Sequence, residues 1–452
     1  MVAFLSLIVA GCAASPAIIV TGSSPEPPPT DRDLPLRPWV PAEKPLPGKP
    51  GHPRNSTSLT LRQAVARALD YNPAVKGAFE EINAKNADAA QASYKPNPEL
   101  SAVAENFAGN KGYNAFDQTE TTVSLGQVIE LGDKRVKRLA AAHLDAALSG
   151  WDYETARVQT AARAADLFVD VLAFKERVAA LREFSAIAEE IRKGVATRVE
   201  GGKTSPIDLD RAVVNAARAK ALADAEELKF KAASAKLAAF WGADEPDFKT
   251  VIGQLGGNRR VPTLRSIRSL LNTNPQLARW TDEIARRYAI LDLEHAKAVP
   301  DLTISGGVRQ FNEDNSTALV ASVSIPLKVF DGNQGAIAAA ERRTAKAKFD
   351  EEATRNELTG ALAEALGELS ASDAQARAFE SKVLPAARAA FDRTRTGYNE
   401  GKFDFLNVLD TQRSLFEVRL DLVNVRAEYA KARIKAEALI GRDLDEISSQ
   451  HR

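Results

Sequence analysis

Hydrophobic residues in two long parts of the chain recur at alternating steps of four and three. This spacing predicts helices that bury one stripe against neighbouring helices at the period of a coiled coil. No proline occurs between Pro98 and Pro206, so the first part predicts one unbroken helix over about 134–198. At 1.5 Å per residue such a helix is roughly 100 Å long. The stripe residues are Leu167, Val171, Phe174, Val178 and Leu181 in the first part, and Leu415, Val418, Leu422, Val425 and Tyr429 in the last.

Four shorter segments instead alternate hydrophobic and polar residues with a period of two. In "STALVASVSIPLKV" Ser322 and Ser324 share one face, and the other face is formed by Leu319, Ala321, Val323, Ile325 and Leu327. The pattern predicts β-hairpins at about 98–130 and 300–329, each with one apolar and one polar face. Each segment has about ten residues, the length of a tilted membrane strand. The aromatic residues near the predicted loop ends fit a membrane girdle and equally a soluble sheet; they are Phe107, Tyr113, Phe116 and Phe311.

The chain repeats itself with an offset of about 200 residues. "NPAV" at 72–75 recurs as "NPQL" at 274–277, and "NPEL" at 97–100 recurs as "VPDL" at 299–302. The pairs "GK" at 202 and 401, "LD" at 209 and 409, and "WG"/"IG" at 241 and 440 keep the same order and nearly the same offset. This is the signature of an internal duplication.

We therefore predict two repeats, 57–256 and 257–445, and a tail over 446–452. Each repeat begins with short helices, continues with a β-hairpin and ends with two long helices. The long helices are predicted at about 134–198 and 206–241 in the first repeat, and at about 333–398 and 404–441 in the second.

The N-terminus has the pattern of a bacterial lipoprotein signal. A short apolar run, "VAFLSLIVA", is followed by Gly11 and by Cys12, the only cysteine of the chain. Residues 1–11 thus read as a signal peptide, and Val9 to Cys12 resemble a lipobox, in which the cysteine is acylated. No Lys or Arg precedes the run, so a chance cysteine in an ordinary cleaved signal stays an alternative. Eleven of the 22 prolines fall within 25–53, which predicts an extended, lipid-anchored linker over 12–56.

Composition argues against several classes of function. Sixty basic residues balance sixty acidic ones, so no net field attracts nucleic acid. The four histidines are scattered and the one cysteine has no partner, so we predict no metal site and no cofactor other than the lipid. No nucleophile–base pair or phosphate loop is recognisable, and we predict that the chain is not an enzyme.

Two hairpins supply only four strands. In a membrane such a sheet would leave two open edges with unpaired backbone amides. Hydrocarbon offers these amides no hydrogen-bond partner. Four strands are also fewer than the smallest closed membrane barrels, which have about eight. If the strands lie in a membrane, several chains must pool them, and three copies give twelve strands around a polar, water-filled lumen.

Several motifs in this order resemble the TolC-like outer-membrane factors. They are the Asn-Pro helix starts, "PNPEL" at the strand entry, "QVIELGDKR" at the return to the helix, and "RVEGGKTSPIDLD" and "YNEGKFDFLNVLD" at the long-helix hinges. The resemblance covers about residues 57–441. Together with the lipobox, "QVIELGDKR" is most similar to the outer-membrane components of cobalt-zinc-cadmium RND systems.

The resemblance implies a fold that is mainly α with β: four membrane strands per chain in a twelve-stranded barrel of a homotrimer, and a periplasmic α-barrel of coiled-coil helices. It also implies that the hinges form a periplasmic tip, which docks a periplasmic adaptor and an inner-membrane RND pump. Gly at the tip turns lets the chain reverse, and nearby carboxylates line the aperture; the alternative is that Asp208 or Asp404 caps the next helix. The candidate tip and gate residues are Gly202, Asp208, Asp210, Gly401, Asp404 and Asp410.

The function implied is a passive outer-membrane channel of a tripartite efflux system in a Gram-negative bacterium, exporting heavy-metal cations. Two alternatives stay open. One keeps the duct and changes the cargo to drugs or to proteins of type I secretion. The other is a lipid-anchored coiled-coil scaffold without a pore, whose strands form a small soluble sheet.

Overall fold

The computed structural model describes residues 56–445 except 112, 114 and 257–260. The first repeat contains β1 (Ser56–Thr60), α1 (Leu61–Tyr71), α2 (Pro73–Ala92), β2 (Glu99–Glu105), β3 (Glu120–Ile129), α3 (Lys134–Glu200), α4 (Pro206–Phe240) and β4 (Phe248–Ile252). The second contains α5 (Leu264–Ile267), a 3-10 turn (Arg268–Thr273), α6 (Pro275–Ala278), α7 (Trp280–Lys297), β5 (Leu302–Phe311), β6 (Thr317–Ser324), α8 (Gln334–Ala378), a π turn (Phe379–Val383), α9 (Leu384–Asn399) and α10 (Phe405–Ile440). The predicted fold class, mainly α with β, is confirmed.

The long helices pack through the stripes that the sequence indicates. The helix α3 contacts both α4 and α10. Val171 and Val178 of α3 are buried, as are Leu415 and Leu422 of α10. Removing such side chains from water is the main source of stability for helices this long, because helix propensity alone contributes little.

The duplication is visible in a pair of asparagine caps. The Asn72 side chain accepts a hydrogen bond from the N–H of Ala74 (2.8 Å) and donates to the carbonyl of Phe240 (2.7 Å). Asn274 does the same with Gln276 (2.9 Å) and Leu439 (2.9 Å). In both repeats one buried amide therefore starts an early helix and ties it to the end of the last helix.

The predicted helix over 333–398 is interrupted by the π turn Phe379–Val383. Pro385 lies two residues after this turn and has no N–H to donate to the carbonyl one turn earlier, which favours a widened turn at this point. The structure also pairs β1 with β4 in parallel, two short strands for which the alternation pattern gave no prediction.

The four strands of the two hairpins form one antiparallel sheet in the order β2-β3-β5-β6. The repeats meet at its centre, where β3 pairs with β5. The residues that flank the two hairpin loops, the ends of β2 and β5 and the starts of β3 and β6, lie at one end of the sheet, here called the loop end. The connections to α2, α3, α7 and α8 all leave the other end, so the helices continue from one end only.

Candidate functional site

The two faces of the sheet differ in chemistry, as the alternation predicted. Ala102, Val123, Val308 and Leu319 stand opposite one another across the strands, in one row. Val123 is 48% exposed, Val308 45% and Leu319 88%. This face of the described chain is therefore a hydrophobic surface that its own helices leave uncovered.

The opposite face is polar and holds hydrogen bonds between strands. The Ser305 and Ser322 hydroxyls lie 2.6 Å apart across β5 and β6. Arg309 of β5 donates to the hydroxyl of Thr122 (2.9 Å) and to the carboxylate of Glu120 (2.7 Å), both on β3. Its third contact is the carboxylate of Glu105 on β2, at 3.4 Å. One guanidinium thus links three strands on the polar face.

The aromatic residues of the first hairpin lie in or beside its loop. Phe107 and Phe116 stack with ring centroids 6.3 Å apart and an interplanar angle of 12°. Both rings, like Tyr113, are about half exposed or more. They mark the loop end of the sheet with exposed aromatic surface.

The opposite end of the sheet is joined to α3 by a lysine and an aspartate. The Lys134 ammonium lies 2.6 Å from Asp301, which also accepts from the N–H of Leu131 (3.0 Å). Burial opposes ionisation of Asp301, but these hydrogen bonds prevail and hold the pKa of this carboxyl below its ordinary value of 3.8. The pair connects the start of α3, in the first repeat, to the residue that precedes β5, in the second.

Gly202 and Gly401 end the long helices α3 and α9 in the same way. Both have positive φ, +66° and +77°, a conformation that glycine adopts without strain. Lys203 donates to the carbonyl of Arg198 and Lys402 to that of Gly397, each at 2.8 Å. With the bonds from Gly202 to Val199 and from Gly401 to Tyr398, each turn is a Schellman motif. The chain reverses at both predicted glycines.

The two turns lie side by side. The guanidinium of Arg198, at the end of α3, sits 4.7 Å from the ring centroid of Tyr398 and donates to the carbonyl of Asn399 (3.2 Å). Further along the two helices that follow the turns, the side chain of Asn215 of α4 donates to that of Gln412 of α10 at 3.0 Å. The hinges of both repeats therefore form one end of the helical body, here called the tip.

The four candidate aspartates are all at the tip, in different environments. Asp208 is in the first turn of α4, where its carboxylate accepts from the hydroxyl of Thr204 (2.8 Å) and lies 3.5 Å from Arg211. Ser205, not Asp208, occupies the cap position of α4, so the capping interpretation of Asp208 is wrong. Asp404 occupies the cap position of α10 without a side-chain cap bond. Asp210, Asp404 and Asp410 are exposed.

Sequence reasoning did not find the Arg309 network or Asp301 as the partner of Lys134. A signal for the first existed, because Arg309 is the one basic residue within the four sheet strands. Its carboxylate partners are 189 and 204 residues away along the chain. The predicted lipidation site, Cys12, lies outside the described residues.

Among the described residues, no group of three or more His, Cys, Asp and Glu side chains is arranged to hold a metal ion. None of the helices in the described residues has an apolar stretch long enough to cross a membrane.

Comparison with known proteins gives consistent matches. The sequence profile described as "Outer membrane efflux protein" matches residues 64–243 and 266–442, one match per repeat. The cobalt-zinc-cadmium resistance protein CzcC of Cupriavidus metallidurans is 32% identical over 395 residues, which are 87% of this chain and 93% of CzcC. The nickel and cobalt resistance protein CnrC of the same organism is 29% identical over 69% of this chain and 73% of its own.

The fold is also that of solved structures. A membrane protein from Pseudomonas aeruginosa superposes with a TM-score of 0.72 at 18% identity, covering 90% of this chain and 98% of the other. Together with the duplicated profile match, the two-faced sheet and the long hinged helices, this confirms the resemblance and the TolC-like fold. The chain belongs to the outer membrane efflux protein family.

Proposed function

We propose that this chain is the outer-membrane channel of a tripartite RND-type efflux system and that its cargo is heavy-metal cations. The observation that carries the proposal is the identity to CzcC, a cobalt-zinc-cadmium resistance protein, along 87% of the chain. CnrC, named for nickel and cobalt resistance, supports the same class of cargo. The channel is a passive conduit in a Gram-negative outer membrane, and the pump supplies the energy.

The sheet supports a pore shared between chains. Its outer strands, β2 and β6, each pair on one side only within the described chain, and its apolar face is exposed. In hydrocarbon such edges have to be paired, since no water is there to satisfy their amides. Three copies close twelve strands into a barrel, with the apolar face towards lipid and the face of Arg309, Ser305 and Ser322 towards a wet lumen.

The helices support a tube that continues this lumen. All four strands connect to helices at one end of the sheet, so the helical bodies of three chains extend together into the periplasm. In a trimer the 67 residues of α3 make a wall of roughly 100 Å. The choice of cargo then lies mainly with the pump, because the cargo reaches the outer-membrane duct last.

The tip is the part of the tube that meets the adaptor and the pump. The turns at Gly202 and Gly401 form its edge, and the candidate gate carboxylates are Asp208, Asp210, Asp404 and Asp410, of which the last three are exposed. Repeated three times around an axis, an exposed carboxylate favours cations and resists closure. Acylation of Cys12 would add a lipid anchor in the outer membrane.

Deletion of the gene in its own host tests the cargo. We expect growth to stop at lower concentrations of Zn²⁺, Co²⁺ or Cd²⁺, each tested alone, and tolerance to return when the gene is supplied in trans. The same strains are exposed to a panel of antibiotics as the matched control. Unchanged metal tolerance with increased antibiotic sensitivity would assign the duct to drug efflux.

Purified protein tests the duct itself. Detergent extracts of outer membranes should contain a heat-resistant trimer that conducts ions across a planar bilayer. A stable monomer without conductance would favour the lipid-anchored scaffold and would refute the channel, whatever the metal phenotype.

A further inference from the structure

The sheet keeps all its strand charges on the polar face. The four strands contain four charged residues: Glu99, Glu105, Glu120 and Arg309. Glu105 pairs with Glu120, and Thr122 with Arg309, in a register that places all four charges on the face opposite Val123 and Val308. The hydrophobic face carries none. Charge is therefore sorted by face, as a wall between oil and water requires.

Three of these charges form one cluster at the loop end. Glu105 is the last residue of β2 and Glu120 the first of β3, so both flank the loop of the first hairpin. Arg309 bonds to both, at 3.4 Å and 2.7 Å. Glu120 also accepts from Asn106 at 2.9 Å, and the Arg309 and Glu120 side chains are only 32% and 23% exposed. Arg309 and Glu120 therefore form a fixed pair, and Glu105, which is 51% exposed, lies at the solvent-exposed edge of the cluster.

The cluster has a net negative charge. One guanidinium and two carboxylates leave −1 per chain, and three chains around an axis would carry −3. Without Arg309 the same ring would carry −6. In an aqueous lumen with low-dielectric walls, a ring of fixed charge enriches counter-ions and repels ions of like charge.

We propose that Arg309 is a specificity-determining residue of the outer mouth, where it sets the ion selectivity of the pore by neutralising one of two carboxylates in each chain. The inference rests on the proposed channel, because it needs the polar face to line a lumen. Arg309 holds the mouth at a moderate cation preference, so that cations are admitted without being retained by a ring of six unpaired carboxylates.

Reversal potentials in a KCl gradient test this assignment with a graded series. The ring charge in a trimer is −6 for Arg309→Gln, −3 for the unchanged protein, 0 for Glu120→Gln and +3 for the double variant Glu105→Gln/Glu120→Gln. We expect the potassium-to-chloride permeability ratio to fall in that order and to drop below unity in the double variant. The differences should shrink in concentrated salt, where screening reaches about 3 Å at 1 M.

Two controls separate a charge effect from damage to the sheet. Arg309→Lys keeps the charge while losing the planar contacts, and its ratio should match the unchanged protein. Gln310→Glu adds the same charge change as Arg309→Gln on the hydrophobic face, one residue away, and should leave the ratio unchanged.

The outcomes are distinguishable from failure of the channel itself. Heat-resistant trimers that conduct, with a ratio that does not follow the series, would overturn the role of Arg309 and leave the channel standing. If Gln310→Glu shifts the ratio as much as Arg309→Gln, the face assignment is wrong and the inference falls. Absence of trimers and conductance in the unchanged protein would refute the proposed function first.

Discussion

Asp208 and Asp410 show how two carboxylates of the tip can serve different purposes. Asp208 is in the first turn of α4, only 20% exposed, and is held by Thr204 and Arg211. A carboxylate there interacts favourably with the helix dipole, which is worth about 0.3–1 kcal/mol at an exposed site. Asp410 is one turn into α10 and exposed, within one turn of Arg413. Asp208 therefore has the surroundings of a stabilising residue, and Asp410 those of a residue available to an aperture.

Neutralising each carboxylate separates these roles. We expect Asp410→Asn to lower the potassium-to-chloride permeability ratio of single channels, because a ring of three negative charges is lost, and to leave thermal stability unchanged. Asp208→Asn is the matched control: it should lower the melting temperature of the helical circular-dichroism signal slightly and keep the ratio. If the permeability ratio falls with Asp208→Asn and not with Asp410→Asn, then Asp208 is the aperture residue and Asp410 is not.

At the scale of elements, α3 is the longest continuous part of the chain, and its continuity matters for the tube. Val178 lies about two thirds of the way along α3, and its side chain is buried, at 7% exposure. Proline there would remove the bond from residue 178 to the carbonyl of Phe174 and clash with that turn, at about 3 kcal/mol or more.

We expect Val178→Pro to abolish heat-resistant trimers and metal tolerance together, because a kink at this point misaligns the tip with the sheet. Val178→Ala removes two buried methyl groups without breaking the helix and should keep both properties at a reduced melting temperature. If the proline variant still forms trimers and still confers tolerance, a continuous α3 is not needed for the tube.

The elements differ in how well the sequence predicts them, for a physical reason. Helices such as α3 and hairpins such as β5–β6 carry their periodicity within a short window, so one face is encoded locally. The strands β1 and β4 pair across about 190 residues and are five residues each, which leaves no local pattern to detect. The Arg309 network depends on strand register in the same way. The β1–β4 pair and the Arg309 network both depend on contacts between residues far apart in the chain, and a single sequence does not reveal such contacts.

At the scale of the whole molecule, the duplication determines how stability is distributed. Each repeat closes on itself through one asparagine: Asn72 reaches Phe240 and Asn274 reaches Leu439. Both side chains are buried, at 6% and 5% exposure. Their loss would remove a helix cap, worth about 1 kcal/mol, and leave a backbone carbonyl without its partner, at about 1–3 kcal/mol more.

Alanine at each site should reveal whether the repeats contribute equally. We expect Asn72→Ala and Asn274→Ala to lower the melting temperature of the trimer by similar amounts, and the double variant by about the sum, because the two sites share no hydrogen-bond partner. Asn86→Ala, at an exposed position of α2, should not lower it, since alanine is the better helix former. If one cap proves dispensable, or the double variant is no worse than a single one, the two repeats are not energetically equivalent. The two repeats would then share the geometry of a common ancestor but contribute unequally to the stability of the protein.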